Sequence, residues 1–130
     1  MVQYLSDEWM QEAGEALAAS EELRAAAAGS EDLVLQYDVA SAPGGKRSYG
    51  IRFGDGSVAL EPGPHKDAAA SFSLDYDVAA EIAKGELSAQ AAFMQGRLKL
   101  GGDVTTLIRQ NALLGGLDDA LGDLRARTEY

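Results

Sequence analysis

The chain has 130 residues, 46% of them hydrophobic, with 11 basic and 21 acidic side chains, no cysteine and a formal net charge of −10. This length suits a single domain, 1–130, built on one hydrophobic core. The acidic balance excludes a nucleic-acid surface, which needs clustered Lys and Arg, and weighs against docking on anionic lipid. No apolar run is long enough for stable membrane insertion, and the first residues lack the basic and apolar stretches of a signal peptide. Without cysteine there is no disulfide framework and no thiolate metal site. A cytoplasmic protein is expected.

Ser6 followed by Asp7 and Glu8 is a helix N-cap signal with acids in the first turn, where the helix dipole favours them. Trp9, Ala13, Ala16, Leu17, Ser20, Leu23 and Ala27 then recur at three- and four-residue steps, which predicts one amphipathic helix of about five turns ended by Gly29. Residues 1–36 hold eight acids against one base, so the acidic excess belongs to this helix and is read as a solvated face.

The apolar period then falls to two. Leu33, Leu35, Tyr37 and Val39 share one strand face, Tyr49, Ile51 and Phe53 a second, and Val58 and Leu60 a third, with Asp55-Gly56 as a hairpin signal. Pro62-Gly63-Pro64-His65 interrupts the sheet and is expected to be an exposed turn. A fourth strand alternates Ala70, Phe72 and Leu74. Short helices capped by Asp75 and Ser88 end at Gly85 and Gly96, and Arg97-Leu98-Lys99-Leu100 reads as a fifth strand. Gly101-Gly102-Asp103 turns into a helix carrying Leu107 and Ile108. After Gly115-Gly116, Leu117, Ala120, Leu121 and Leu124 mark a last amphipathic helix. The expected fold is α+β: a five-stranded, mostly antiparallel sheet with helices covering one face.

The stretch Ala91-Ala92-Phe93-Met94-Gln95-Gly96-Arg97-Leu98-Lys99-Leu100-Gly101-Gly102-Asp103 resembles the signature of the sterol-carrier-protein type 2 family: a short helix ending in an Ala-Phe-Met-like run and Gly, a basic-apolar-alternating strand, then Gly-Asp before an apolar helix. Ala79-Ala80-Glu81-Ile82-Ala83-Lys84-Gly85 resembles the helix just upstream. The resemblance implies a non-catalytic domain that encloses an acyl chain, a sterol or another apolar molecule between the covered sheet face and the helices. The strong acidity, and an end without a peroxisomal Ser-Lys-Leu, point to a bacterial single-domain member that holds an apolar metabolite.

Such a site needs concave apolar surface with few charges. The candidate lining residues are Ile51, Phe53, Leu60, Phe72, Phe93, Met94, Leu98, Leu100, Leu107, Ile108, Leu114 and Leu117. A packed core has the same sequence signature as a cavity, so the sequence leaves core filling open for each of them. Residues 117–124 are expected to cover the site as a lid hinged at Gly115-Gly116, with a plain helix break as the alternative reading.

Other chemistry finds little support. His65 is the sole histidine, the adjacent acids Asp118 and Asp119 point in different directions on a helix, and the glycines form no phosphate loop, so no catalytic residue, metal ligand or cofactor is expected. The enzyme alternative is a small steroid-isomerase- or cyclase-like protein using Tyr37 and Tyr49 with a buried acid. Strand parity places Asp38 on the outward face and Asp55 in a turn, which argues against it. An acidic protein-interaction module is the remaining alternative. The expected partner is an apolar small molecule or fatty acid.

Overall fold

The computed structural model describes residues 2–29, 32–42, 45–54, 56–103, 105, 116–117 and 119–130. In chain order the elements are β1 (Val2–Gln3), α1 (Asp7–Ala19), α2 (Glu21–Ala28), β2 (Leu33–Ala42), β3 (Gly45–Gly54), β4 (Ser57–Pro62), β5 (Ala70–Asp75), α3 (Tyr76–Ala83), α4 (Ala89–Met94), β6 (Leu98–Gly102), α5 (Gly122–Ala126) and β7 (Thr128–Glu129). Residues 116–117 and 119–120 are also helical. The main sheet is five-stranded, ordered β4-β3-β2-β5-β6, with β2 and β5 parallel and every other pair antiparallel. This is the mostly antiparallel α+β architecture expected from the period-two segments.

The single first helix expected from the sequence is in fact two. Ser20 takes an extended conformation, and its hydroxyl accepts from the Leu23 backbone N–H at 3.3 Å while its own N–H closes on the Leu17 carbonyl. One serine thus ends α1 and caps α2. The three-four spacing of apolar residues passes through this break unchanged, because both helices bury the same stripe: Trp9, Ala13 and Leu17, then Leu23 and Ala27. Gly14 brings α1 onto β4, with the position of its missing Cβ only 3.6 Å from the Leu60 Cβ.

The β1–β7 pair is a feature that periodicity did not indicate. Val2 pairs with Thr128 and Gln3 with Glu129 in parallel. Two-residue strands are too short to show a period of two. The expected turn at Gly101-Gly102 is instead the end of β6, where both residues pair with β5. Gly102 has φ +74, and a Cβ there would stand 2.5 Å from the Ala69 carbonyl oxygen, so glycine alone suits the position.

Since β5 lies beside β2 rather than β4, residues 63–69 must cross the sheet to reach it, and they do so over the outward face. Ala69 N–H donates to the Val34 carbonyl at 2.9 Å. His65, expected in an exposed turn, has a side chain only 12% exposed. Its ring lies against the backbone of Gly50, where a Cβ would meet Nδ1 at 2.5 Å. The buried Gln36 side chain receives both the His65 N–H (2.9 Å) and a contact from Nδ1 (3.0 Å). The outward face is therefore partly covered by a polar strap instead of being uniformly wet.

Candidate ligand-binding cavity

The inward sheet face has two halves. On the β4–β3 side it is covered by α1 and α2. Phe53 is fully buried there, and Leu60 packs against the same core. Towards β2, β5 and β6 the cover is α3 and the C-terminal segment, and between these layers lies a cavity of about 450 Å³. That volume falls within the range of roughly 300–1,000 Å³ usual for small-molecule sites.

Sheet register builds the cavity floor. Tyr37 stands directly opposite Tyr49 on β3 and Phe72 on β5. The three rings form one row across three strands, with centroids 4.9 Å apart at 7° for Tyr37–Tyr49 and 4.8 Å apart at 18° for Tyr37–Phe72. The next row in register holds Val39, Leu74 and Leu98, all of which line the cavity. Cross-strand stacking of this kind adds about 0.5–1.5 kcal/mol per pair beyond burial.

The opposite wall is aliphatic, with small residues only along part of α3 and the turn after it. Ala79, Ile82 and Ala83 of α3 and Gly85, Leu87 and Ser88 after it face the floor, and Leu117, Leu121, Leu124 and Arg125 complete the cover. One end is closed by aromatics from both termini. Ser6 caps α1 by accepting from Trp9 N–H at 3.1 Å, and the preceding turn carries Leu5 at φ +64, a conformation uncommon for leucine. Arg47 holds this turn, donating from Nε to the Leu5 carbonyl at 2.9 Å and from Nη2 to Asp7 at 2.7 Å. The β1–β7 pairing then sets Tyr4 5.0 Å from both Trp9 and Tyr130, ring centre to ring centre.

Electrostatically the cavity is neutral apart from Arg125: among the described lining residues there is no carboxylate and no histidine. Burial pushes the Tyr4 and Tyr49 phenols well above the ordinary tyrosine value, with neighbouring tyrosines raising Tyr4 further. Burial also raises Tyr130, against a smaller opposing effect of Arg125. All three stay protonated and uncharged through the physiological range. Asp38, the nearest acid that the enzyme alternative offers, sits on the opposite sheet face, where it accepts from Ser48 at 2.8 Å. Among the described residues that arrangement supplies neutral hydrogen-bond donors against apolar walls.

Of the residues singled out from the sequence, Ile51, Phe72, Leu98 and Leu117 line the cavity. Leu100 is half-buried opposite Phe72 and packs in a small satellite cluster with Val78, Ala92 and Leu98. Phe53 and Leu60 belong to the part of the core beneath α1 and α2. Phe93 and Met94 are 50% and 78% exposed and do not line the cavity, because α4 turns Ala92 inward and its last two residues fall on the outer side. Leu107, Ile108, Leu114 and the first hinge glycine, Gly115, lie outside the described residues. Gly116 is wedged against Leu23, with its would-be Cβ 2.6 Å from a Leu23 methyl group, so close packing accounts for this glycine. The lining that sequence reading missed includes five aromatics, Tyr4, Trp9, Tyr37, Tyr49 and Tyr130. For Tyr37 and Tyr49 the signal was their shared inward parity on neighbouring strands.

The model of the SCP-2 sterol transfer family matches residues 12–115. The chain belongs to this family. A crystal structure of sterol carrier protein 2 superposes with a TM-score of 0.73 at 21% identity, covering 91% of this chain and 96% of that one. A solution structure from Thermus thermophilus, described as possibly a sterol carrier protein, gives the same TM-score of 0.73 at 20% identity over 92% of this chain and 88% of its own. The palmitated SCP2L2 of Aedes aegypti gives 0.58 at 18% identity, over 84% and 93%. No curated protein matches the chain in sequence. Among the described residues no helix is long and apolar enough to cross a membrane.

Proposed function

We propose that the chain, as one domain, binds an apolar molecule in this cavity and carries or sequesters it without bond chemistry. The observation that supports the reading most is the cavity itself: about 450 Å³ between an aromatic floor and an aliphatic roof, with no carboxylate or histidine among the described lining groups. Apolar burial offsets the cost of association over most of its range. A chain of about sixteen methylenes gains roughly 0.8 kcal/mol for each one buried, on the order of 12 kcal/mol, against an association cost of about 4–15 kcal/mol. The palmitated state of the Aedes relative supports a fatty acyl chain as one ligand class. In this reading Leu117, Leu121 and Leu124 cover the bound molecule, and their displacement admits it. A cytoplasmic setting goes with it, in keeping with the cysteine-free, acidic composition.

Native mass spectrometry of the purified protein tests the proposal directly. A co-purifying or added fatty acid should appear as one added mass per chain, and titration should quench or shift emission from Trp9, the sole tryptophan. Protein that stays ligand-free and takes up no fluorescent fatty acid would overturn the reading.

A further inference from the structure

Among the described residues, the floor of the cavity holds a hydroxyl with no hydrogen-bond partner. Tyr49 is 8% exposed, its ring is stacked on Tyr37 and lies 6.2 Å from Trp9, and it lines the cavity. Among the described residues its hydroxyl makes no hydrogen bond. Other phenols of the lining are engaged: Tyr4 reaches the Ala79 carbonyl at 3.5 Å, and Tyr130 interacts with the Thr128 side chain. The hydroxyl is not sealed in the core but keeps accessible surface on the cavity side, and a neutral phenol there offers one O–H donor for an incoming acceptor. The surroundings also select the kind of acceptor. The desolvation that keeps the phenol protonated penalises any anion brought beside it, so a neutral oxygen fits there better than a carboxylate.

We propose that Tyr49 is a specificity-determining residue that donates to a neutral oxygen (ketone, ester or alcohol) carried by the apolar ligand, so that the cavity prefers oxygenated molecules to plain hydrocarbon. The proposal rests on the cavity being the ligand site. It makes β3 a polar anchor of the cavity floor and places the ligand oxygen beside the aromatic row rather than at the protein surface.

The test is a cycle of two proteins and two probes. The probes are 2-tridecanone and 2-methyl-1-tridecene, which differ only in C=O against C=CH₂, and the variant is Tyr49→Phe, which keeps the stacked ring and deletes the hydroxyl. After extraction of co-purifying lipid, binding is read from Trp9 emission. The variant should weaken ketone binding about tenfold relative to its effect on the alkene. Equal effects on both probes, or none, would overturn the role of Tyr49 while leaving the cavity reading intact. Failure of the unaltered protein to bind either probe would overturn both. Should the variant not fold, the carbonyl stretch of bound ¹³C-labelled ketone in the unaltered protein decides. A shift to lower frequency than in hydrocarbon solvent supports the donor, and a hydrocarbon-like frequency refutes it.

Discussion

Ala79 offers the sharpest test of whether the space between sheet and α3 is genuinely empty. It is buried at 5% exposure, lies inside α3 and lines the cavity. Replacing it with leucine adds three carbons, worth about 2.4 kcal/mol if all are buried at roughly 0.8 kcal/mol each. Fixing the new side chain costs about 0.5–1 kcal/mol, and leucine is nearly as good a helix former as alanine. The ligand-free protein should therefore gain about 1.5 kcal/mol, raising Tm by about 3–6 °C. A long ligand loses the space those carbons occupy. Displacing about three methylenes' worth of contact weakens binding by about 2 kcal/mol, roughly thirty-fold. Palmitate should suffer this loss in full and laurate far less, since a shorter chain does not need the space. Calorimetry on lipid-extracted protein and titration of Trp9 emission with the two acids would measure both effects. A destabilisation of about 1–3 kcal/mol, the signature of overpacking, would show that no void exists beside Ala79. Equal losses for palmitate and laurate would show that the void is not where the chain lies.

Other expectations concern positions outside the lining. Gly116→Ala should destabilise the protein by about 1–3 kcal/mol in urea unfolding, because the added Cβ meets the fully buried Leu23 at 2.6 Å; slower ligand release with unchanged stability would instead favour a hinge. Gly50→Ala should expel the His65 ring from its seat, 2.5 Å from the new Cβ, and break its contact with Gln36, again costing about 1–3 kcal/mol; palmitate affinity at temperatures where the variant is folded should persist, since this strap lies on the other face of the sheet. The raised phenols set an alkaline limit. Tyr4, Tyr49 and Tyr130 titrate above the unfolded value of about 10, so the unfolded chain loses protons first, and stability is full below that pH and falls above it by up to about 1.4 kcal/mol per pH unit for each tyrosine still protonated. Unfolding free energies across this range, compared with those of Tyr49→Phe, should show one proton's worth of slope disappearing.

The strands were legible because alternation survives in short segments: Leu33 to Val39 and Tyr49 to Phe53 each put their apolar side chains on one face, and the register then aligns those faces. The strand order was not legible, since nothing in a period of two tells β5 to lie beside β2. That choice alone sends residues 63–69 across the outward face and buries His65 and Gln36, which read as polar surface in isolation. Ser20 was hidden for a related reason, because a capping serine on an apolar stripe looks like a tolerated small residue. Within the site, Phe93 and Met94 carried family resemblance without inward orientation. Tyr4 and Tyr130 reach the cavity only because the chain's two ends pair as β1 and β7, a contact separated by nearly the whole sequence.

The cavity follows from a mismatch in side-chain size between two layers that the backbone holds apart. On the β4–β3 side, α1 answers the sheet with Trp9 and Leu17 and approaches it closely at Gly14, and the space between is filled by Phe53 and its neighbours. Over β2 and β5 the floor carries Tyr37, Phe72 and Leu74, but α3 contributes Ala79 and Ala83, and Gly85 follows with no side chain at all. The stacked rings below cannot tilt up to fill the space without losing one another. The aromatic row thus gives the cavity a rigid floor, and the alanines of α3 leave the space above it unfilled. On this argument Phe72→Ala should not simply enlarge the cavity. Removing one end of the row frees the Tyr37 ring to lean into the vacancy, so the cost should exceed the loss of one half-buried phenyl group, itself below the roughly 3–5 kcal/mol of a fully buried one, by the value of the broken stack, about 0.5–1.5 kcal/mol. A double-mutant cycle of Phe72→Ala with Tyr37→Leu, followed by urea unfolding, isolates that coupling. Strict additivity would mean that the rings are neighbours without support for one another.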